Sequence, residues 1–376
     1  MKAAVNITRI IVGVLFIFSG LVKAIDPLGL SYKMQEFFEL WHLSGLNSWT
    51  LLFSILMNAF EIIAGFALLL GWRIKLFSWL ILLLIVFFTF LTGYAYLSGK
   101  FKNCGCFGDC IPISPLTSFA KDIVLTLLIG FLFTQRNKIR PLFSEKAGTW
   151  LMFLVTLFSF GLQWYSLTYL PPVDCLPYKK GNNIPEKMKM PANAVPDSTV
   201  ITFVYEKDGK QVEFTADKFP ADFSADTYKF ISRYDKVVRK GSNNEPPIKG
   251  FVLTNTTDSD STQAILDKKY AVVTFIENFK VPVSKWKKGF EKLYSEASSK
   301  GIPVYIVVGN VDEATNQLKG TGFANATILK CDFTAIRTAA RTSPAIYLLK
   351  KGTIVDKKSY KEVGDITHRI ISENYQ

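Results

Sequence analysis

Five apolar runs crowd the first 170 residues, at positions 5–22, 49–72, 76–97, 118–134 and 149–169. A helix needs roughly 20 apolar residues to cross the hydrocarbon core of a bilayer. Within that core only a helix or a closed barrel satisfies its own backbone. The runs therefore predict an integral membrane all-α bundle of five spans in contact with the lipid bilayer. The fourth run is short, and a tilt or a thinner local bilayer accommodates it. After Pro171 the chain turns polar and reads as a globular domain. Val22-Lys23-Ala24 loosely fits a small-x-small cleavage site, but Lys23 lies inside it and Arg9 sits late for a signal peptide. The first run is expected to stay as an uncleaved span.

Charge orients the bundle. Of the formal net charge of +13, residues 1–170 hold 13 Lys/Arg against 7 Asp/Glu, and the remainder 31 against 24. The excess is not gathered into one patch, and no basic-aromatic motif for nucleic acid occurs. Instead Lys2 and Arg9 open the first span, Arg73 and Lys75 fill the turn after the second, and Arg136, Lys138, Arg140 and Lys146 follow the fourth. The positive-inside rule makes these alternate loops cytoplasmic. The amino terminus is then cytoplasmic, while the loop at 98–117 and everything after the fifth span face outward. In a bacterial inner membrane that side is the periplasm.

The outward loop carries "KNCGCFGDC" at 102–110, three of the five cysteines of the chain. In an oxidising compartment such a cluster reads as redox or disulfide chemistry before metal. Cys104 and Cys106 can close only a small, strained ring, whereas either one with Cys110 makes an easier loop, which Gly105 and Gly108 allow. Lys100 and Lys102 favour a thiolate upstream and Asp109 disfavours one at Cys110. Cys104 is thus the candidate attacking thiol, with Cys106 or Cys110 resolving. Cys175, just past the fifth span, is a candidate fourth partner. These four could also form a Cys₄ zinc site, although C-x-C-x₃-C is not the usual spacing and neither His42 nor His368 is near. A structural staple is the third alternative.

Two ionisable residues lie within the spans. Glu61, in the middle of the second, is expensive in lipid unless paired, protonated or facing water. It is a candidate buried acid, with structural hydrogen bonding to a neighbouring helix as the alternative. Lys23 lies near the outer end of the first. Lys121 and Asp122 open the fourth at the membrane surface, where charge is ordinary. Between the first two spans, Met34, Phe37, Phe38 and Trp41 recur with helical spacing. They predict an amphipathic helix lying on the outer membrane surface or packed on the bundle.

Beyond a Pro- and Asn-rich connector, "TVITFVYEKDGKQVEFTAD" predicts a hairpin turning at Asp-Gly. Residues 220–268 give no reading. Then "AVVTFIENF", "IPVYIVVGN", "ATILKCD", "IYLLKKG" and "TIVDKKSY" alternate as strands with the helical "SKWKKGFEKLYSEASSKG" and "DEATNQLKG", which implies an α/β sheet.

Residues 271–360 resemble a thioredoxin-fold domain. "RTSPAIYLLKKGTIVDK" is similar to the segment in which that family places a cis-proline, here Pro344. The position of the family's C-x-x-C reads "FKVPVSKW", without a cysteine, so dithiol exchange is excluded there. Cys331 is the one thiol of this part, either on the rim with Pro344 or a small residue buried at a strand end. The first 135 residues resemble the DoxX/MauE group of four-helix membrane proteins through "GVLFIFSGLVKAIDP", "FEIIAGFALLLGW", "CGCFG" and "KDIVL". That resemblance implies a redox-associated protein: MauE is linked to maturation of disulfide-containing methylamine dehydrogenase subunits, and DoxX to quinone-coupled sulfur oxidation. The chain departs from both in its fifth span, in Cys110 and in the fused α/β domain.

The expected organisation is a DoxX/MauE-like domain at 1–135, a cytoplasmic loop and fifth span at 136–170, a connector and β-rich segment at 171–268, and a thioredoxin-like domain at 269–376. The leading function is outward-facing thiol–disulfide chemistry serving a client protein or redox partner through the Cys-Gly-Cys loop. The alternatives are a non-catalytic assembly factor with structural cysteines and a quinone-linked respiratory accessory subunit. A quinone is the candidate cofactor, and no metal is assigned.

Overall fold

The computed structural model describes residues 2–101, 105–239, 241 and 243–372. Among the described residues five helices are long and apolar enough to span a membrane, and they make up the N-terminal bundle. They are α1 (Lys2–Ile25), α3 (Thr50–Leu70), α4 (Ile74–Ser98), α5 (Pro115–Thr134) and α6 (Glu145–Tyr169), with α2 (Pro27–Leu40) between the first two. Local chemistry sets their ends. Ser114 caps α5 by accepting from the Thr117 N–H, with Pro115 at the first helical position, so the fourth span starts three residues before its apolar run. Asp26 and Pro27 open α2 in the same way. Gly71, at φ 68°, takes the left-handed C-cap of α3 and makes the tight return into α4 possible.

Small residues let α1 and α3 touch. A methyl group on Gly20 would meet the backbone of Ile62 and Asn58, and one on Gly65 the backbone of Gly13 and Ile17. Such close approach is how helices associate in lipid, where burial of apolar surface gives no drive. It also brings Lys23 of α1 against Glu61 of α3. At the opposite end the buried Arg9 donates to the Leu69 carbonyl at 2.5 Å, tying α1 to the end of α3.

The rest of the chain is an α/β region at the end of the bundle that carries the cysteine loop. A short turn α7 (Ile184–Lys187) precedes a three-stranded antiparallel sheet of β1 (Ser198–Lys207), β2 (Lys210–Thr215) and β3 (Lys229–Arg239), in order β2-β1-β3. Asp208 and Gly209, both at positive φ, form the expected hairpin turn. The unread stretch 220–268 supplies β3 and α8 (Thr262–Leu266). Next come β4 (Ala271–Ile276), α9 (Lys287–Ser299), β5 (Val304–Val308), α10 (Val311–Leu318), β6 (Thr327–Lys330), α11 (Phe333–Ala339), β7 (Ala345–Lys350), β8 (Thr353–Ser359) and α12 (Val363–Ser372).

The five-stranded sheet has the order β6-β5-β4-β7-β8; β4, β5 and β6 run parallel, and β7 is antiparallel to β4. Its central strands β4 and β7 are buried on both faces. Val273 and Phe275 enter one core with Tyr178, Ile184, Phe251 and Leu253, while Val272 and Ile276 enter the other with Phe290, Leu293 and Ile366. Residues 178–184 and 248–266 of the connector therefore complete the α/β core. The Ser343–Pro344 peptide is cis.

Candidate functional site

The cysteines part into different environments. Cys110 and Cys175 form a disulfide 65 residues apart that ties the loop to the exit of α6. That bond removes Cys110 as the resolving partner of Cys104 and takes two ligands from a Cys₄ zinc set. Cys106 is free. Cys104 lies outside the described residues. Cys331 is buried in the α/β core among Phe251, Leu253 and Ile336, its Sγ 3.9 Å from the Gly250 carbonyl. Burial pushes its thiol up to about 11. Its neighbourhood is packing.

Gly105 and Gly108, at φ 69° and 57°, turn the loop inward over the bundle, where Gly108 lies against the Val22 carbonyl and the stem of Lys23. Ser19 donates to the Cys106 carbonyl at 3.1 Å and fixes the loop on α1. The Cys106 thiol faces α5. Burial raises it above the usual thiol range, and Lys121 and Lys23 pull it back while Asp122 opposes them.

Beneath the thiol is a cluster of charge inside the membrane-spanning part. Lys23 is ion-paired with Glu61, both almost fully buried. Lys121 is ion-paired with Asp122, whose side chain is 1% exposed and accepts from Thr92 Oγ1 at 3.0 Å. Sequence reasoning placed Lys121 and Asp122 at the surface as ordinary interface charge, and the structure overturns that. Ser114 starts α5 early enough for its second turn to face the bundle interior. The signal available was the "KDIVL" string itself. Glu61 Oε2 has no hydrogen-bond partner among the described residues.

This cluster floors a cavity of about 540 Å³. The apolar face of α2 roofs it: Met34, Phe37, Phe38 and Trp41 line the cavity rather than simply resting on lipid. Phe37 stacks on Phe101 with ring centroids 4.2 Å apart, which holds the roof to the base of the cysteine loop.

The α/β region closes the other side of the loop. Arg341, two residues before Ser343, reaches Asp109 at 2.6 Å and Asp26 at 2.9 Å. Burial works against its charge, but the two carboxylates outweigh that and raise its pKa. Tyr32 of α2 donates to Glu277 at 3.0 Å, and the Arg337 guanidinium lies 4.8 Å from the Tyr32 ring. Lys357 pairs with Asp174, next to the disulfide, at 2.9 Å. Ser343 Oγ accepts from the N–H groups of Glu277 and Asn278, so the Pro344 turn packs on the segment that follows β4. The Pro344 rim is thus docked against the cysteine loop.

The chain is an integral membrane protein: a five-span helical bundle holding buried charge and a free thiol, capped by an α/β region. Residues 1–135, which hold the first four spans, match the family described as methylamine utilisation protein MauE. Residues 199–240, the three-stranded sheet, match a domain of unknown function (DUF8463). Protein TlpB of Flavobacterium psychrophilum is 31% identical over 133 residues, which is 35% of this chain and 36% of that protein. The match spans about a third of the length of that curated relative. No solved structure matches.

Proposed function

We propose that the protein carries out thiol–disulfide chemistry at the outer face of a bacterial inner membrane, with Cys104 and Cys106 as its exchanging pair. A client dithiol gives two electrons and two protons to the Cys104–Cys106 disulfide; the client S–S bond forms as the loop S–S bond opens. Cys104, flanked by Lys100 and Lys102, is the attacking thiol, and the half-buried Cys106 resolves. The observation that carries this reading is the free Cys106 thiol above two lysine–carboxylate pairs, while Cys110 is already committed to Cys175. A disulfide between near neighbours is strained, and strain makes it oxidising.

The α/β region, in this reading, is a thioredoxin-like domain that has kept the frame and lost the thiols. Its strand order and the packing of the Ser343 turn on the segment after β4 support that assignment. It covers the loop and presents the client to it. Orientation follows from the basic residues gathered at the end opposite the loop.

Purified protein, oxidised and mixed with a reduced dithiol peptide, should form one peptide disulfide per chain. Cys104→Ser and Cys106→Ser should each abolish this. Protease added to spheroplasts should remove the α/β region; its survival until lysis would reverse the orientation. The rival reading is a non-catalytic assembly factor, favoured by the Cys110–Cys175 staple and the Arg341 contacts. It gains if peptide oxidation is absent and function is lost only when residues 171–376 are removed.

A further inference from the structure

Independently of the exchange reading, we propose that the three-stranded sheet is a pairing module, whose β3 edge joins the same edge of a second copy of this chain. The sheet has a core of its own. On one face Tyr205, Phe214, Phe219, Phe223 and Tyr228 pack ring on ring, Tyr205 and Phe214 with centroids 5.2 Å apart. That core leaves β3 open. In the order β2-β1-β3 it is an edge strand, eleven residues long and exposed at every one. Ile231, Tyr234, Val237 and Val238 present apolar surface along it. Proteins that stay monomeric blunt such an edge by making it short, charged or twisted away. The other edge, β2, follows that rule with six residues that include Lys210 and Glu213. β3 does not.

The charge pattern of β3 selects the occupant. When a strand pairs antiparallel with its own copy about a two-fold axis, residues equally far on either side of the centre face each other. Centred on Tyr234, "KFISRYDKVVR" is its own complement. Arg233 of each copy falls opposite Asp235 of the other, Tyr234 meets Tyr234, and Ile231 comes beside Val237. Opposite charges across strands stabilise pairing, and like charges oppose it. Moving the centre by one residue sets either Arg233 or Asp235 against itself, so charge rejects both neighbouring registers. Among the described residues neither Arg233 nor Asp235 makes an ion pair within its own chain. A foreign strand of one charge sign would satisfy one of them and oppose the other.

The ladder with β1 also sets how far pairing extends. It is regular from Ser232 to Val237 and shifts register on either side. Such bulges bend an edge and end its pairing, so the usable stretch is short and holds Tyr234 near its middle. Lys229 and Arg239, the one like-charged couple of this register, meet beyond it at exposed ends, where salt screens them. Two three-stranded sheets then become one of six strands with β2 at both ends, and growth stops at two copies. So short a ladder buries less than the roughly 1,200–2,000 Å² of a standard interface. Confinement of both copies in one bilayer raises their effective concentration and offsets this.

The test is oxidative crosslinking of the full-length protein in its membranes. Tyr234→Cys puts one thiol of each copy at the two-fold axis, and copper-phenanthroline should convert at least half of the chains to a species of twice the mass. The unsubstituted chain should give none, and Lys210→Cys, on the β2 edge, at most a tenth as much. Added to Tyr234→Cys, Arg233→Asp or Asp235→Arg should each lower crosslinking at least tenfold. Both together exchange the two charges and should restore it to within twofold, a rescue that a folding defect would not show. Absence of the doubled species, crosslinking that ignores the charge reversals, failure of the rescue, or equal crosslinking of the unsubstituted chain overturns the proposal. Adducts with a different protein in place of the doubled mass also overturn it and give the edge to a foreign strand.

Discussion

The two halves of the molecule differ in where they bury charge: the α/β region does so at its contact with the loop, through Arg341, and the bundle does so inside its spans. In the α/β region both faces of the sheet pack Val, Ile, Leu, Phe and Ala, and its lone thiol, Cys331, is one more small core residue. In the bundle, where lipid makes polarity most costly, Lys23, Asn58, Glu61, Asp122 and Gln163 are all nearly inaccessible. A region that keeps an ordinary core is a scaffold, and a region that retains charge against that cost keeps it for work. In the proposed reading the chemistry therefore belongs to the bundle and its loop, and the α/β region serves as the cover.

The largest test of this contrast exchanges one thiol in each half. Cys106→Ser should lower dithiol oxidation more than 100-fold without unfolding the protein, while Cys331→Ser should leave the rate within twofold. Equal losses would erase the distinction. Next, Arg341→Met strands Asp26 and Asp109 in a largely buried contact. Losing one partner of a buried pair typically costs roughly 3–5 kcal/mol, and the partial exposure of Asp109 puts the expected value at the low end. The readout is faster proteolysis between the halves, with both halves individually intact. Smaller again is Cys110→Ser, which removes a staple and should lower stability by about 2–4 kcal/mol with dithiol oxidation largely retained.

The charge pairs sharpen the comparison further. Glu61→Gln leaves the Lys23 ammonium unpaired, and Lys23→Met with Glu61→Gln together should recover the inserted protein. Recovery of fold without recovery of turnover assigns the pair to chemistry, and recovery of both assigns it to packing. The smallest effect is kinetic. Because burial raises the Cys106 thiol, its alkylation should keep accelerating at pH values where an exposed thiol has levelled off. Lys121→Gln, which removes the strongest charge lowering that pKa, should slow alkylation at any fixed pH below the plateau.

The spans, the amphipathic helix, the hairpin and the strands from 271 onward were legible because each rests on local periodicity or a turn residue. Glu61 was legible because an acid inside an apolar run stands out. Its partner was not, since the Lys23 contact depends on Gly20 and Gly65 bringing two helices together. Asp122 was missed because a helix cap decides how deep it sits. The Cys110–Cys175 bond depends on where α6 emerges, and the Arg341 clamp joins residues more than 200 positions apart. The roles of Tyr178 and Phe251 as α/β core were hidden in segments with no regular period.

The central claim is that two cysteine pairs on one loop system differ in kind, one cycling and one fixed. Mass-tagged alkylation of membranes prepared without reductant measures this directly. The account predicts that mild reductant exposes two thiols, both lost from the count when Cys104 and Cys106 are replaced by Ser. Two further thiols, Cys110 and Cys175, should appear only after denaturation with strong reductant. Release of Cys110 and Cys175 under mild conditions, or Cys104 and Cys106 free from the start and unchanged by oxidised dithiol, would contradict it.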